Sequence, residues 1–151
     1  MKRIPNFKIQ LVRDGSSLYS TNTINCPEDA AEIASAHFEE LATDREVFAV
    51  LLLNTKNKVI GIHDVSVGSL TASVVHPREV FKAACLANAA SIILTHNHPS
   101  GDPAPSKEDI SITSRLVQAG RLMDIPVLDH IIIGDNTGRS MSFKANDLIK
   151  D

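Results

Sequence analysis

No stretch of this chain narrows the possible folds as sharply as Ser91 to Asp109. Ser91-Ile92-Ile93-Leu94-Thr95 is an apolar run that reads as a buried strand. It continues into His96-Asn97-His98, and side chains alternate along a strand, so the two imidazoles point to one face. Pro99-Ser100-Gly101-Asp102-Pro103 then forces a turn. Ser106-Lys107-Glu108-Asp109 reads as a helix start, with Ser106 as N-cap and Asp109 in the first turn. Strand end, tight loop and helix N-terminus bring two imidazoles and a carboxylate together, a ligand set suited to zinc. Three protein ligands with an open fourth position for water match a catalytic rather than a structural zinc site. Asp102 is a rival carboxylate, but between two prolines it is expected to bond backbone N–H groups of the turn.

His96, His98, Pro99, Ser106 and Asp109 fill every position of the pattern His-x-His-Pro, six residues, Ser, two residues, Asp. In this the chain resembles the JAMM (MPN-plus) metalloprotease superfamily. The finer wording, His96-Asn97-His98-Pro99-Ser100-Gly101 followed by Pro105-Ser106 and Asp109, is similar to its RadC branch. Four further segments are RadC-like: Glu46-Val47-Phe48, Gly68-Ser69-Leu70, His76-Pro77-Arg78-Glu79, and Leu128-Asp129-His130 with its Ile run. The similarity spans roughly residues 20 to 145. It implies one JAMM/MPN-like domain over residues 21–151, preceded by an extension over residues 1–20. It also implies one Zn²⁺ per chain on His96, His98 and Asp109, and hydrolysis of a peptide or isopeptide amide in a peptide or protein substrate. RadC proteins usually carry an N-terminal helix-hairpin-helix region. None is expected here, so DNA binding through such a region is not carried over.

Two residues stand out as catalytic candidates beside the ligands. Zinc brings the pKa of its water to about 7, and a nearby carboxylate can take the remaining proton. Glu46 opens a strand of Val, Phe, Ala and Leu; alone it would be a solvated strand end, but the family places its glutamate at a comparable strand. Asp44 and Glu40 are the fallbacks and Glu79 a weaker rival. Ser106 has two roles open to it: an N-cap that stabilises its helix by about 1 kcal/mol, and, by resemblance, a donor to the oxyanion.

Other residues carry less. His130 beside Asp129 reads first as a satisfied structural histidine and second as a group supporting a metal ligand or facing substrate. His76-Pro77-Arg78 is family-like without assigned chemistry, and His37 and His63 are expected on a helix surface and a strand surface. Cys26 and Cys85 are expected to be inert small hydrophobes rather than ligands or a disulfide. His96-Asn97-His98 spells the name of the HNH nucleases, but those spread the three residues over a ββα unit in which Ser106 and Asp109 would have no role.

The 151 residues suffice for one domain with a proper core. Hydrophobic residues make up 43% and charged residues 22%, as in ordinary globular proteins. A net charge of −3, no Trp and one Tyr argue against a general nucleic-acid binder, which needs a basic stripe and stacking platforms. No signal peptide or membrane-length apolar run is evident, so a cytoplasmic protein is expected.

Strands are expected at Glu46–Leu53, Lys58–Val67, Ser91–His98, Val127–Ile133 and Ser140–Phe143. Helices are expected from Pro27 to about Leu41, from Pro77 through Ala90, from Ser106 to near Gly120, and from Ala145 to Lys150. A short edge hairpin is expected from Phe7–Arg13 through Gly15-Ser16 into Leu18-Tyr19. Strands alternating with helices give an α/β domain with a mixed β-sheet flanked by helices. The competing functional class is a non-catalytic interaction or DNA-repair-associated scaffold that keeps a metal site.

Overall fold

The structure, a computed structural model, describes residues 1–42, 44–68 and 75–150. In chain order its elements are α1 (Pro27–Leu41), β1 (Val47–Leu53), β2 (Val59–Val67), α2 (Pro77–Leu86), β3 (Ser91–His98), α3 (Lys107–Leu122), β4 (Val127–Gly134) and β5 (Arg139–Ser142). The strands form one sheet in the order β2-β1-β3-β4-β5. β1 is buried at all seven positions, Val-Phe-Ala-Val-Leu-Leu-Leu. An unbroken apolar strand is stable only where both sheet faces are covered.

Two cores meet that demand. On one face Val47, Ala49, Leu51, Leu53, Ile93, Ile131 and Ile133 pack against Ala30, Ile33, Ala34 and Phe38 of α1. On the other, Phe48, Val50, Leu52, Ile92 and Leu94 pack against Val80, Phe81 and Ala84 of α2 and Ile112 and Leu116 of α3. The alternation within β1 assigns one set of side chains to each core. β1 runs antiparallel to both β2 and β3, whereas β3 and β4, joined through α3, are parallel. The site therefore falls where the parallel pair ends and α3 begins, the usual ligand position in sheets with parallel strands.

The strands and the first three helices lie where the sequence places them, with α2 stopping at Leu86, short of Ala90. Two elements differ. Residues 1–19 hold neither helix nor strand, so the expected hairpin does not form; Phe7 and Ile9 are 84% and 78% exposed, with no apolar surface to close on. Thr23 bridges to Lys58 just outside β2. The expected helix at 145–150 is a series of turns. Asn146 donates its side-chain N–H to the Ser142 carbonyl (2.7 Å), and Asp147 adopts a left-handed φ of 58° that an α-helix does not tolerate. Ser69 and Leu70, part of the Gly68-Ser69-Leu70 similarity, lie outside the described residues. Among the described residues no helix is long and apolar enough to cross a membrane.

Candidate metal centre

β3 delivers His96 and His98 to the α2/α3 face, as the strand period requires. α3 starts at a reciprocal cap. The Ser106 Oγ accepts the Asp109 N–H (3.0 Å), and Asp109 Oδ2 accepts the Ser106 N–H (2.8 Å). The cap fixes the Asp109 side chain and also satisfies two of the N–H groups left open at a helix start. Asp109 then has one oxygen on each imidazole: Oδ1 lies 3.3 Å from His96 Nε2 and Oδ2 lies 3.3 Å from His98 Nε2. The two Nε2 atoms are 2.9 Å apart.

These three side chains can hold a metal ion, with one donor atom from each lying within 4.8 Å of the others. A tetrahedral ion with ligands at about 2.0–2.2 Å keeps them roughly 3.3–3.6 Å apart. The donor spacings therefore fit a single ion after small shifts of the imidazoles. His96 is fully buried and Asp109 nearly so, while His98 is partly open, so the cluster can be reached from the His98 side. Burial pushes the Asp109 carboxyl up, but hydrogen bonds from His96 and His98 outweigh it and hold the group well below the usual carboxylate range. The bond to Asp109 raises the His98 pKa against its own burial, and the Glu46 charge adds to that rise.

Each imidazole is anchored through its other nitrogen. His98 Nδ1 lies 2.7 Å from the Asp102 carbonyl, which can only accept, so Nδ1 carries the proton and Nε2 faces the cluster. Asp102 thus serves the site through its backbone, and its side chain accepts the Ala104 N–H (3.0 Å) as a turn residue. His96 Nδ1 lies 2.7 Å from His130 Nε2, and His130 Nδ1 lies 2.6 Å from Thr113 Oγ1. His130 is fully buried, stacked on Phe143 and edge-on to Phe48. That burial, followed by the nearby charge of His96, pushes its pKa well below the ordinary histidine range. The neighbouring Asp129 is separate from the centre; it receives the His130 and Lys144 N–H groups and the Ser142 hydroxyl, tying down the end of β5.

Glu46 immediately precedes β1. The β1–β3 ladder ends at Phe48, opposite His96, and Glu46 lies two residues before it, close enough for its charge to act on His98. Its backbone is clamped by Asn97. The Asn97 Oδ1 accepts the Val47 N–H (2.7 Å), and its amide donates to the Arg45 carbonyl (3.0 Å) and to Asp135 Oδ2 (2.8 Å). The other acids stand apart from this arrangement. Glu40 receives the Ser17 hydroxyl, Asp44 is exposed, and Glu79 pairs with Lys82.

The loop between β3 and α3 is a wall. Gly101 has a left-handed φ of 87° and presses on the β4–β5 turn, where the Arg139 guanidinium donates to its carbonyl (3.1 Å). A Cβ at Gly101 would lie 2.8 Å from the Thr137 methyl, so only glycine suits both the backbone and the space.

His63 is exposed as expected, but His37 is half-buried and bonded to Asp64 (2.7 Å). Cys26 and Cys85 are free and exposed rather than buried among apolar groups. The sequence reading missed Thr113 and Asn97. Thr113 has a local signal, since four residues beyond Asp109 it must share that residue's helix face.

The fold and the site define a JAB-type domain with a cluster of donors that could hold a metal. The family profile described as a RadC-like JAB domain matches residues 24–148, and the chain belongs to this family. It is 55% identical over 121 residues to a UPF0758 protein of Desulforamulus reducens, covering 80% of this chain and 52% of that one. A UPF0758 protein of Moorella thermoacetica is 54% identical over 130 residues, 86% of this chain and 55% of the relative. One from Caldanaerobacter subterraneus subsp. tengcongensis is 52% identical over 122 residues, 81% and 52%. The chain spans about half the length of the curated relatives it matches.

Proposed function

We propose that this domain is a zinc-dependent hydrolase of peptide or isopeptide amide bonds. One observation carries the reading: three convergent donors, both imidazoles anchored through Nδ1, with the Glu46 charge acting on His98. His96, His98 and Asp109 would hold the ion. When bound, such a cation makes water acidic enough to attack near neutral pH and offsets charge on a carbonyl oxygen. Glu46 accepts the proton of the attacking water and returns it to the leaving amine. Ser106 can cap and catalyse together. Its Oγ accepts the Asp109 N–H with a lone pair, which leaves its own O–H to donate to the oxyanion. The substrate is a peptide or protein rather than nucleic acid, consistent with the net charge of −3. Two free, exposed cysteines suit a reducing compartment such as the cytoplasm.

The test uses zinc-loaded protein, a proteome-derived peptide library and isopeptide-linked conjugates, with new termini read by mass spectrometry. Cleavage that stops with chelator and falls about 10²- to 10⁴-fold in Glu46→Gln supports the reading. No cleavage, or equal cleavage by Glu46→Gln, overturns it and favours the scaffold.

A further inference from the structure

We infer that Thr113 and His130 form a hydrogen-bond relay that sets which nitrogen of His96 is offered to the metal, making both of them positioning residues. The inference rests on the metal reading above and deepens it.

The relay follows from counting protons. The Thr113 hydroxyl lies 2.7 Å from the Asp109 carbonyl, one helical turn back, and a carbonyl can only accept. The single hydroxyl proton is therefore committed to Asp109. The contact from Thr113 Oγ1 to His130 Nδ1 (2.6 Å) then needs its proton from His130, so Nδ1 carries it. His130 is fully buried between Phe48 and Phe143; among the described residues its polar side-chain contacts are to Thr113 and His96, and an imidazolium there would lack a counter-charge in contact. A neutral ring protonated on Nδ1 has a bare Nε2. That Nε2 must accept from His96 Nδ1, 2.7 Å away. His96 thus keeps its proton on Nδ1 and turns Nε2 to Asp109 and His98.

Ligating histidines usually donate their second nitrogen to a carboxylate or a carbonyl. His98 does so, to Asp102. For His96 the acceptor is an imidazole, which has two tautomers, and Thr113 selects between them. With His130 protonated on Nε2 instead, the contact would reverse. The His96 proton would sit on Nε2, where it blocks the ion. The relay also ends on the backbone of Asp109, so it joins two of the three ligands into one hydrogen-bonded ring.

The experiment compares wild type, Thr113→Val and Thr113→Ser. Zinc affinity is measured by chelator competition, and nitrogen-15 NMR of the histidine rings is recorded with and without zinc. Valine keeps the shape of threonine and loses the hydroxyl; serine keeps the hydroxyl and loses the methyl. The relay predicts a proton on Nδ1 of both His96 and His130 in wild type, in metal-free protein as well. It predicts a 10- to 100-fold weaker zinc site in Thr113→Val and recovery in Thr113→Ser. Folded Thr113→Val with wild-type affinity overturns it, and so does equal loss in the valine and serine variants. If Thr113→Val fails to fold, the wild-type ring spectra decide, because a His96 proton on Nε2 alone contradicts the relay. Failure of the metal reading looks different: wild type binds no zinc at all, whatever the tautomers.

Discussion

Replacing Asn97 by alanine tests how the site holds Glu46, the proposed base. Asn97 is buried, and its one side chain bonds the backbone on both sides of Glu46 as well as the Asp135 carboxylate. The three losses are unequal. Val47 is buried, so its N–H finds no water and carries a penalty of about 1–3 kcal/mol. Arg45 is exposed and Asp135 partly so, and water replaces those two bonds at small cost. The expected total is about 2–4 kcal/mol. For a chain of 151 residues each kcal/mol moves the melting temperature by about 2–4 °C, so a loss of 3 kcal/mol lowers it by about 6–12 °C. The freed segment also lets Glu46 move relative to His98, and a displacement of about 1 Å at a reacting group can cost about 10²-fold in rate. Zinc content stays at the wild-type level, since no ligand is touched. Calorimetry, metal analysis and a peptide-cleavage assay read the three effects separately. A melting point within about 1 °C of wild type would refute the argument, as would unchanged turnover in a destabilised protein.

Other expectations follow from the same contacts. Asp109→Asn, which keeps a cap acceptor, should fold and yet lose most of its zinc, seen by mass spectrometry. Ser106→Ala should cost about 1 kcal/mol in denaturant unfolding through the lost cap, and a larger fall in kcat than in zinc affinity would separate its oxyanion role. Metal affinity should climb as pH rises. The proton on His98, held by Asp109 above the ordinary histidine range, must leave before the ion enters, so competition titrations at several pH values should show tighter binding at the alkaline end. Gly101→Ala should destabilise the loop wall, since its φ of 87° and the Thr137 methyl both oppose a Cβ. Thermal melts of that variant would check it.

Much of the layout was legible because short-range signals dominate it. The run Val47–Leu53 is apolar at every step, and Pro27 and Pro77 each open a helix. The convergence of the three donors was legible for a similar reason: strand period, turn and cap act within fourteen residues, His96 to Asp109. What lay hidden depends on contacts distant in the chain. Asn97 reaches Val47 across 50 residues and His96 meets His130 across 34, and no local pattern encodes either pairing. The N-terminal segment misled for the opposite reason. Phe7, Ile9 and Leu11 alternate as a strand should, but alternation says nothing about whether a neighbouring strand exists, and these residues are exposed. At the other end, Ala145, Leu148 and Ile149 favour a helix, yet Asn146 bonds back to Ser142 and Leu148 to Phe143, which closes turns instead.

Metal content of the purified protein, measured by mass spectrometry beside the His96→Ala/His98→Ala variant, is the most direct test. About one zinc per chain, lost in the variant, is the predicted result. Zinc absent from both proteins after reloading would contradict the metal centre and every role assigned around it.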